Sequence, residues 1–165
     1  LLSPESLAMA DIQWWLMKSE PDVYGINELK KEVFTLWDGI RNYQARNFMR
    51  SMNIGDKAFF YHSNCKPPCI VGIMEVAKTG LVDPSQFDQN SKYYDKKSSK
   101  ENPRWDCVQM KYIGKFQNAI SLEELRNIYT PEKLQVVRRG NRLSIMPIEA
   151  TIASDLLARL GNPIE

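Results

Sequence analysis

The chain has 165 residues, 43% of them hydrophobic and 25% charged, which fits one globular domain with one sizeable core and excludes a disordered or fibrous protein. No apolar run approaches the roughly 20 residues needed to span a bilayer. Its 22 basic and 20 acidic side chains leave a net charge of +2. A protein that grips long duplex DNA through many phosphates usually carries a larger basic excess, so the balance argues against a general duplex binder and leaves open one that touches few phosphates and takes its affinity from a single pocket.

Residues 1–10 (LLSPESLAMA) lack a basic start and any periodicity and read as a loose leader, with Met9 an alternative start; residues 11–165 form the expected single domain. A soluble cytoplasmic monomer, nuclear in a eukaryote, is the expectation. Three cysteines, Cys65, Cys69 and Cys107, do not make a disulfide framework.

The first predicted strand, 14–18, runs into Lys18, Ser19, Glu20 and Pro21. Proline keeps the residue before it extended, and strand alternation puts Lys18 and Glu20 on one side and Ser19 on the other. Such a segment is either a strand end entering solvent or one edge of a site. A short helix at 26–31 precedes a strand at 34–37 that closes on Trp37, a residue suited either to core packing or to a pocket wall.

Asp38-Gly39 then makes a turn, and apolar Ala45, Phe48, Met49 and Met52 mark a helix over 41–52. Asp38 is its natural N-terminal cap. Arg41, Asn42 and Gln44 stand at the helix start, where free N–H groups suit phosphate. Arg46 and Arg50 continue a basic face with Arg41, with no acid between Asp38 and Asp56. That face is either a phosphate contact or simply solvated.

A strand at 57–62 ends in His62, Ser63 and Asn64; His62 is the sole histidine and reads as a hydrogen-bonded structural residue. Together with Cys65, Cys69 and Cys107 it supplies zinc-type ligands, but the spacing is not that of a standard site and Pro67-Pro68 stiffens the loop. No metal and no cofactor are expected. Strands at 70–77 and 106–113 flank a polar loop, 90–103, in which Tyr93 and Tyr94 want a stacking partner. Ser121 and Glu124 form a capping box before a third helix. A basic turn at 138–144 feeds a strand at 142–145 that places Arg142 and Ser144 on one side. A helix at 150–160 carries Ile152, Leu156, Leu157 and Leu160 on one face and stops at Gly161.

About six short strands and four helices without a βαβ rhythm predict an α+β domain, a small curled sheet or barrel with helices at its ends. No P-loop, G-x-G-x-x-G, G-x-S-x-G or HExxH motif occurs.

Five blocks together, WLMKSEP at 15–21, WDGIRNYQARNFMR at 37–50, FFYHSNC at 59–65, NPRW at 102–105 and RLSIMP at 142–147, resemble the EVE-domain family over nearly the whole chain after Met9. Cys69 departs from the pattern, which has a small residue there. The resemblance implies a PUA-like small mixed β-barrel with surrounding helices, related to the YTH domains that read methylated adenine in RNA. It further implies a DNA- or RNA-binding module that captures a single modified base without chemistry. Carried onto this sequence, Lys18, Ser19, Glu20, Trp37, Asp38, Asn42 and Ser63 make the base pocket, with Tyr94 (or Tyr93) as the second aromatic. The basic residues themselves, Arg41, Arg46, Arg50 and Arg142, are the expected phosphate contacts, and small anions are expected at Arg41 and Arg142 with the helix start when no nucleic acid is present. Two other readings stand beside this one: an amidohydrolase-like enzyme on modified nucleosides, using Lys18 and Glu20 but with no obvious nucleophile, and a protein-interaction domain with a vestigial pocket.

Overall fold

The structure, a computed structural model, describes residues 12–164; the leader expected at 1–10 lies outside them. In chain order the described residues form β1 (Trp14–Ser19), α1 (Ile26–Glu32), β2 (Phe34–Leu36), α2 (Tyr43–Ser51), β3 (Lys57–His62) and β4 (Cys69–Val82). β5 (Asp106–Ser121), α3 (Leu122–Ile128), β6 (Ile145–Ile148), α4 (Ala150–Leu160) and β7 (Pro163–Ile164) follow. Short 3-10 turns at Pro84–Phe87 and Gln135–Val137 lead into the two long connections.

The strands make one mixed sheet in the order β2-β5-β4-β3-β1-β6, with β7 on β5. β1 and β3 are the parallel pair, aligned from Trp14↔Lys57 to Ser19↔His62. The α+β, PUA-like class is as expected. The path is open, however: β2 and β6 are its two ends, and the sheet curls without closing into a barrel.

Alternation along the central strands assigns side chains to two cores. Trp15, Met17, Ala58 and Phe60 face one cluster, which includes Trp37 and Met49. Leu16, Phe59 and Tyr61 face the other, with Leu125 of α3 and Leu156 and Leu160 of α4. Both faces of β1 and β3 are therefore covered, which is why these strands read as continuous apolar runs. α1 can lie close on the sheet because position 72 is glycine: a Cβ there would sit 2.6 Å from Ile26 Cδ1. Asp56, 2% exposed, ties the end of α2 to β1 by accepting from Asn53 N at 3.0 Å and Trp15 Nε1 at 3.1 Å.

Two boundaries differ from expectation. β4 and β5 run on to Val82 and Ser121, beyond the expected ends at 77 and 113, because their outer halves are partly solvated and carry Lys78, Lys115 and Gln117 rather than an apolar run. The strand expected at 142–145 instead begins at Ile145. Asn141 Oδ1 accepts from Leu143 N at 2.9 Å and turns the chain there, so Arg142 and Ser144 stand on a loop rather than on one strand face.

Burial pushes the Cys107 thiol and the Tyr61 and Tyr129 phenols up to about 12. Above their ordinary values the unfolded chain releases these protons while the native state keeps them. Stability therefore falls as pH rises through roughly 9 towards 12. Melting curves between pH 8 and 11 should show a progressive drop, and Cys107→Ala should remove its earliest part. A flat profile would contradict the burial of these groups.

Candidate functional site

A cavity of about 890 Å³ opens at the ends of the parallel pair β1 and β3. Lys18, Ser19 and Glu20 reach it from the end of β1, Ser63 and Asn64 from the end of β3, and Trp37, Asp38 and Gly39 from the segment after β2. Two long connections complete it: Lys92 and Tyr93 come from the one before β5, and Asn141, Arg142 and Ser144 from the one before β6.

The β1 end is held firmly. Lys18 N donates to Ser144 O at 2.8 Å and Lys18 Nζ to Asn141 O at 3.4 Å, joining the strand to the Arg142 loop. Burial lowers the pKa of this half-buried amine. Ser19 Oγ donates to Tyr24 O at 2.5 Å, and Ser63 N donates to Ser19 O at 3.0 Å. Glu20 Oε1 accepts from Asn64 Nδ2 at 3.2 Å, linking the ends of β1 and β3. The Asp38 carboxyl is pushed up by burial and by the nearby Asp83 carboxylate.

Trp37 serves two surfaces. It is only 7% exposed and packs edge-to-face on Phe60, ring centres 5.5 Å apart, as a core member; its remaining surface belongs to the cavity wall. Tyr24 and Tyr93 are the other aromatics of the lining, whereas Tyr94 is 40% exposed and outside it.

Tyr93 is positioned by a buried anchor. Asp83 accepts from Gly39 N at 2.8 Å and Arg41 Nη1 at 3.0 Å, and Arg41 Nη2 in turn donates to Tyr93 O at 2.7 Å. The Tyr93 ring then lies against Gly39, whose φ is +75° and where a Cβ would be 2.7 Å from Tyr93 Cε2. Gly39→Ala therefore meets both a strained backbone, costing about 1–3 kcal/mol, and a clash with the ring. Denaturant unfolding should show that loss, and in a Tyr93→Ala background the cost should shrink to the backbone part. Equal costs in the two backgrounds would mean that the ring is not where the contact puts it.

Several expected contacts are corrected. α2 starts at Tyr43, and its cap is Asn42, whose side chain accepts from Ala45 N at 2.9 Å; Asp38 is not the cap, and Asn42 is not in the lining. Positive φ at Gly39 breaks the chain between Trp37 and the helix. The arginines on and just before α2 are not a free basic face. Arg41 is bound to Asp83, Ser85 and Tyr93 O. Arg46 donates to Arg104 O at 2.9 Å and lies over the Tyr43 ring. Arg50 is paired with Asp106. Of the four expected cations only Arg142 lines the cavity; Lys92, Tyr93 and Asn141 join it from irregular loops that carry no periodic signal.

His62 lies outside the lining; its Nε2 accepts from Ile26 N at 3.1 Å, and burial lowers its pKa. Among the described residues no three His, Cys, Asp or Glu side chains cluster in a metal-binding arrangement.

Residues 13–159 match the family model described as the EVE domain. The chain belongs to the EVE-domain family. Human thymocyte nuclear protein 1 is 41% identical over 152 residues, covering 81% of this chain and 68% of that protein. Among solved structures, a Pseudomonas syringae protein is 42% identical with a TM-score of 0.86, covering 90% of this chain and 99% of that one. The human THYN1 protein, solved in complex with 5-methylcytosine-containing DNA, is 38% identical with a TM-score of 0.85, covering 92% of this chain and 99% of that one.

Proposed function

We propose that this EVE domain binds DNA or RNA by taking one nucleobase, a modified one, into the cavity at the ends of β1 and β3, and does no chemistry on it. The observation that carries the reading is the cavity itself, walled by Trp37 and Tyr93 and edged by the polar ends of two strands, in a chain whose relative was solved with 5-methylcytosine-containing DNA.

A flat base gains roughly 1–3 kcal/mol from stacking on an aromatic ring. Fixed polar groups then read its edge: the Lys18 ammonium offers donors, and the Glu20 and Asp38 carboxyls offer acceptors for an exocyclic amino group. The enzyme reading needs an activated nucleophile. Ser19 Oγ is the hydroxyl nearest Lys18 and Glu20 in the chain, and it donates to the Tyr24 carbonyl rather than to a base. Binding of this kind takes place in the cytoplasm or nucleus, where DNA and RNA are. Among the described residues no helix is long and apolar enough to cross a membrane.

The test is equilibrium binding of one oligonucleotide sequence carrying, at one central position, cytosine, 5-methylcytosine, adenine or N6-methyladenine, alongside the free nucleosides. Burying a methyl group contributes about 0.8 kcal/mol, so one modified member should bind about four-fold tighter than its plain counterpart, or more. Equal affinity within every pair would remove the modified base from the reading. Failure of every nucleoside and oligonucleotide to bind would remove the base pocket. Release of a new nucleoside product on incubation would favour the enzyme.

A further inference from the structure

Two cations at the cavity mouth differ in kind from those on and just before α2. Arg41, Arg46 and Arg50 are each committed to protein groups. Lys92 and Arg142 are exposed, line the cavity mouth, and have no ion pair among the described residues.

Each also stands on an anchored loop. Lys92 is the neighbour of Tyr93, whose carbonyl Arg41 grips, and its ammonium lies 5.0 Å from the centre of the Tyr93 ring. Arg142 follows Asn141, whose side chain donates to Gln135 O at 2.8 Å and whose carbonyl takes the Lys18 ammonium. The two cations thus stand on separate, anchored loops that meet at one opening. A base entering that opening carries a phosphate on each side of its sugar.

We infer that Lys92 and Arg142 take the two backbone phosphates flanking the captured nucleotide, and that Arg41, Arg46 and Arg50 take none. This rests on the base-capture reading and adds the way the strand is held. It also fits the net charge of +2, since a protein gripping two phosphates needs no large basic excess. Lysine binds phosphate as a point charge and arginine as a fork, so each suits its site without a partner carboxylate.

The test is the salt dependence of binding to a duplex and to a single-stranded oligonucleotide containing 5-methylcytosine, together with binding of the free nucleoside, which has no phosphate. Lys92→Gln and Arg142→Gln should each reduce the slope of log affinity against log salt by about 0.9 on duplex or about 0.7 on single strand, and the double variant by twice that. Arg50→Gln should leave the slope unchanged. Free-nucleoside affinity should change less than two-fold in Arg50→Gln, and in the Lys92 and Arg142 variants it should fall far less than oligonucleotide affinity at low salt. Melting curves confirm that each variant is folded before it is compared.

An unchanged slope in the double variant overturns the inference. So does a fall in nucleoside affinity with the slope intact, which would make these side chains readers of the base edge. A reduced slope in Arg50→Gln would return the phosphates to α2. Failure of the wild-type protein to bind any nucleoside is a different result: it sinks the base-capture reading whatever the slopes show.

Discussion

Asp83→Ala should destabilise the protein by about 3–5 kcal/mol, the cost of leaving a buried charge without its partner. Asp83 is 0% exposed. One of its oxygens takes Gly39 N and Arg41 Nη1, and the other takes Ser85 N at 2.8 Å and Ser85 Oγ at 2.6 Å. Alanine leaves the Gly39 and Ser85 N–H groups without this acceptor and takes the carboxylate from the Arg41 guanidinium, which keeps only the neutral Ile40 O, Ser85 Oγ and Tyr93 O. For a domain of this size each kcal/mol is worth about 2–4 °C, so melting should fall by about 10 °C.

The Arg41→Met, Asp83→Ala double variant should recover part of that loss, because the orphaned charge is then gone. Nucleoside affinity should fall in the single variant too, since Tyr93 loses the anchor that holds it against Gly39. A loss below 1 kcal/mol would mean that the Asp83 network does not hold the loop.

Trp37→Ala should cost about 3–5 kcal/mol of stability, as truncation of a large buried aromatic does, and should also weaken nucleoside binding. The stability loss follows from its packing on Phe60 at 5.5 Å and its place among the buried residues around Met49. The binding loss follows from removal of a stacking wall, roughly 1–3 kcal/mol, or about 5- to 150-fold. Stacking is indifferent to base identity, so plain and modified nucleosides should weaken together. Lys18→Ala should instead change the ratio between bases, because it removes a donor to the base edge. Denaturant titration and calorimetry on the same preparation, well below its melting point, read both effects. A folded Trp37→Ala protein with undiminished affinity would remove Trp37 from the site.

These two residues also show where sequence reasoning stopped. Trp37 reads as core or pocket wall from its neighbours, and in the fold it is both, because it packs edge-to-face with Phe60 and also lines the cavity. Asp83 carries no local signal at all. Its partner Arg41 is 42 residues away, and the partner of Arg50 is 56 residues away. Counting only the acids between Asp38 and Asp56 therefore made α2 look like a free basic face.

The choice between Tyr93 and Tyr94 was equally out of reach. Adjacent residues in an irregular loop have no periodicity to sort them, and the gap that admits the Tyr93 ring is made by Gly39, more than 50 positions earlier.

What the chain determined locally was substantial. The two-residue alternation of β1 and β3 sorted Trp15 and Met17 from Leu16, and Phe60 from Phe59, into opposite cores. The Ser121–Glu124 capping box and Gly161 set the ends of α3 and α4 where the pattern put them. Polar residues after the first apolar strand marked Lys18, Ser19 and Glu20 as a possible edge of a site, the family resemblance joined Trp37, Asp38 and Ser63 to them, and all of these line one cavity. The local signals depend on neighbours within a turn or a strand, where backbone geometry fixes direction. Which cations are free, which tyrosine faces inward and what caps α2 were decided only in the tertiary structure. Charge pairing and ring packing act through space between segments that the sequence holds far apart.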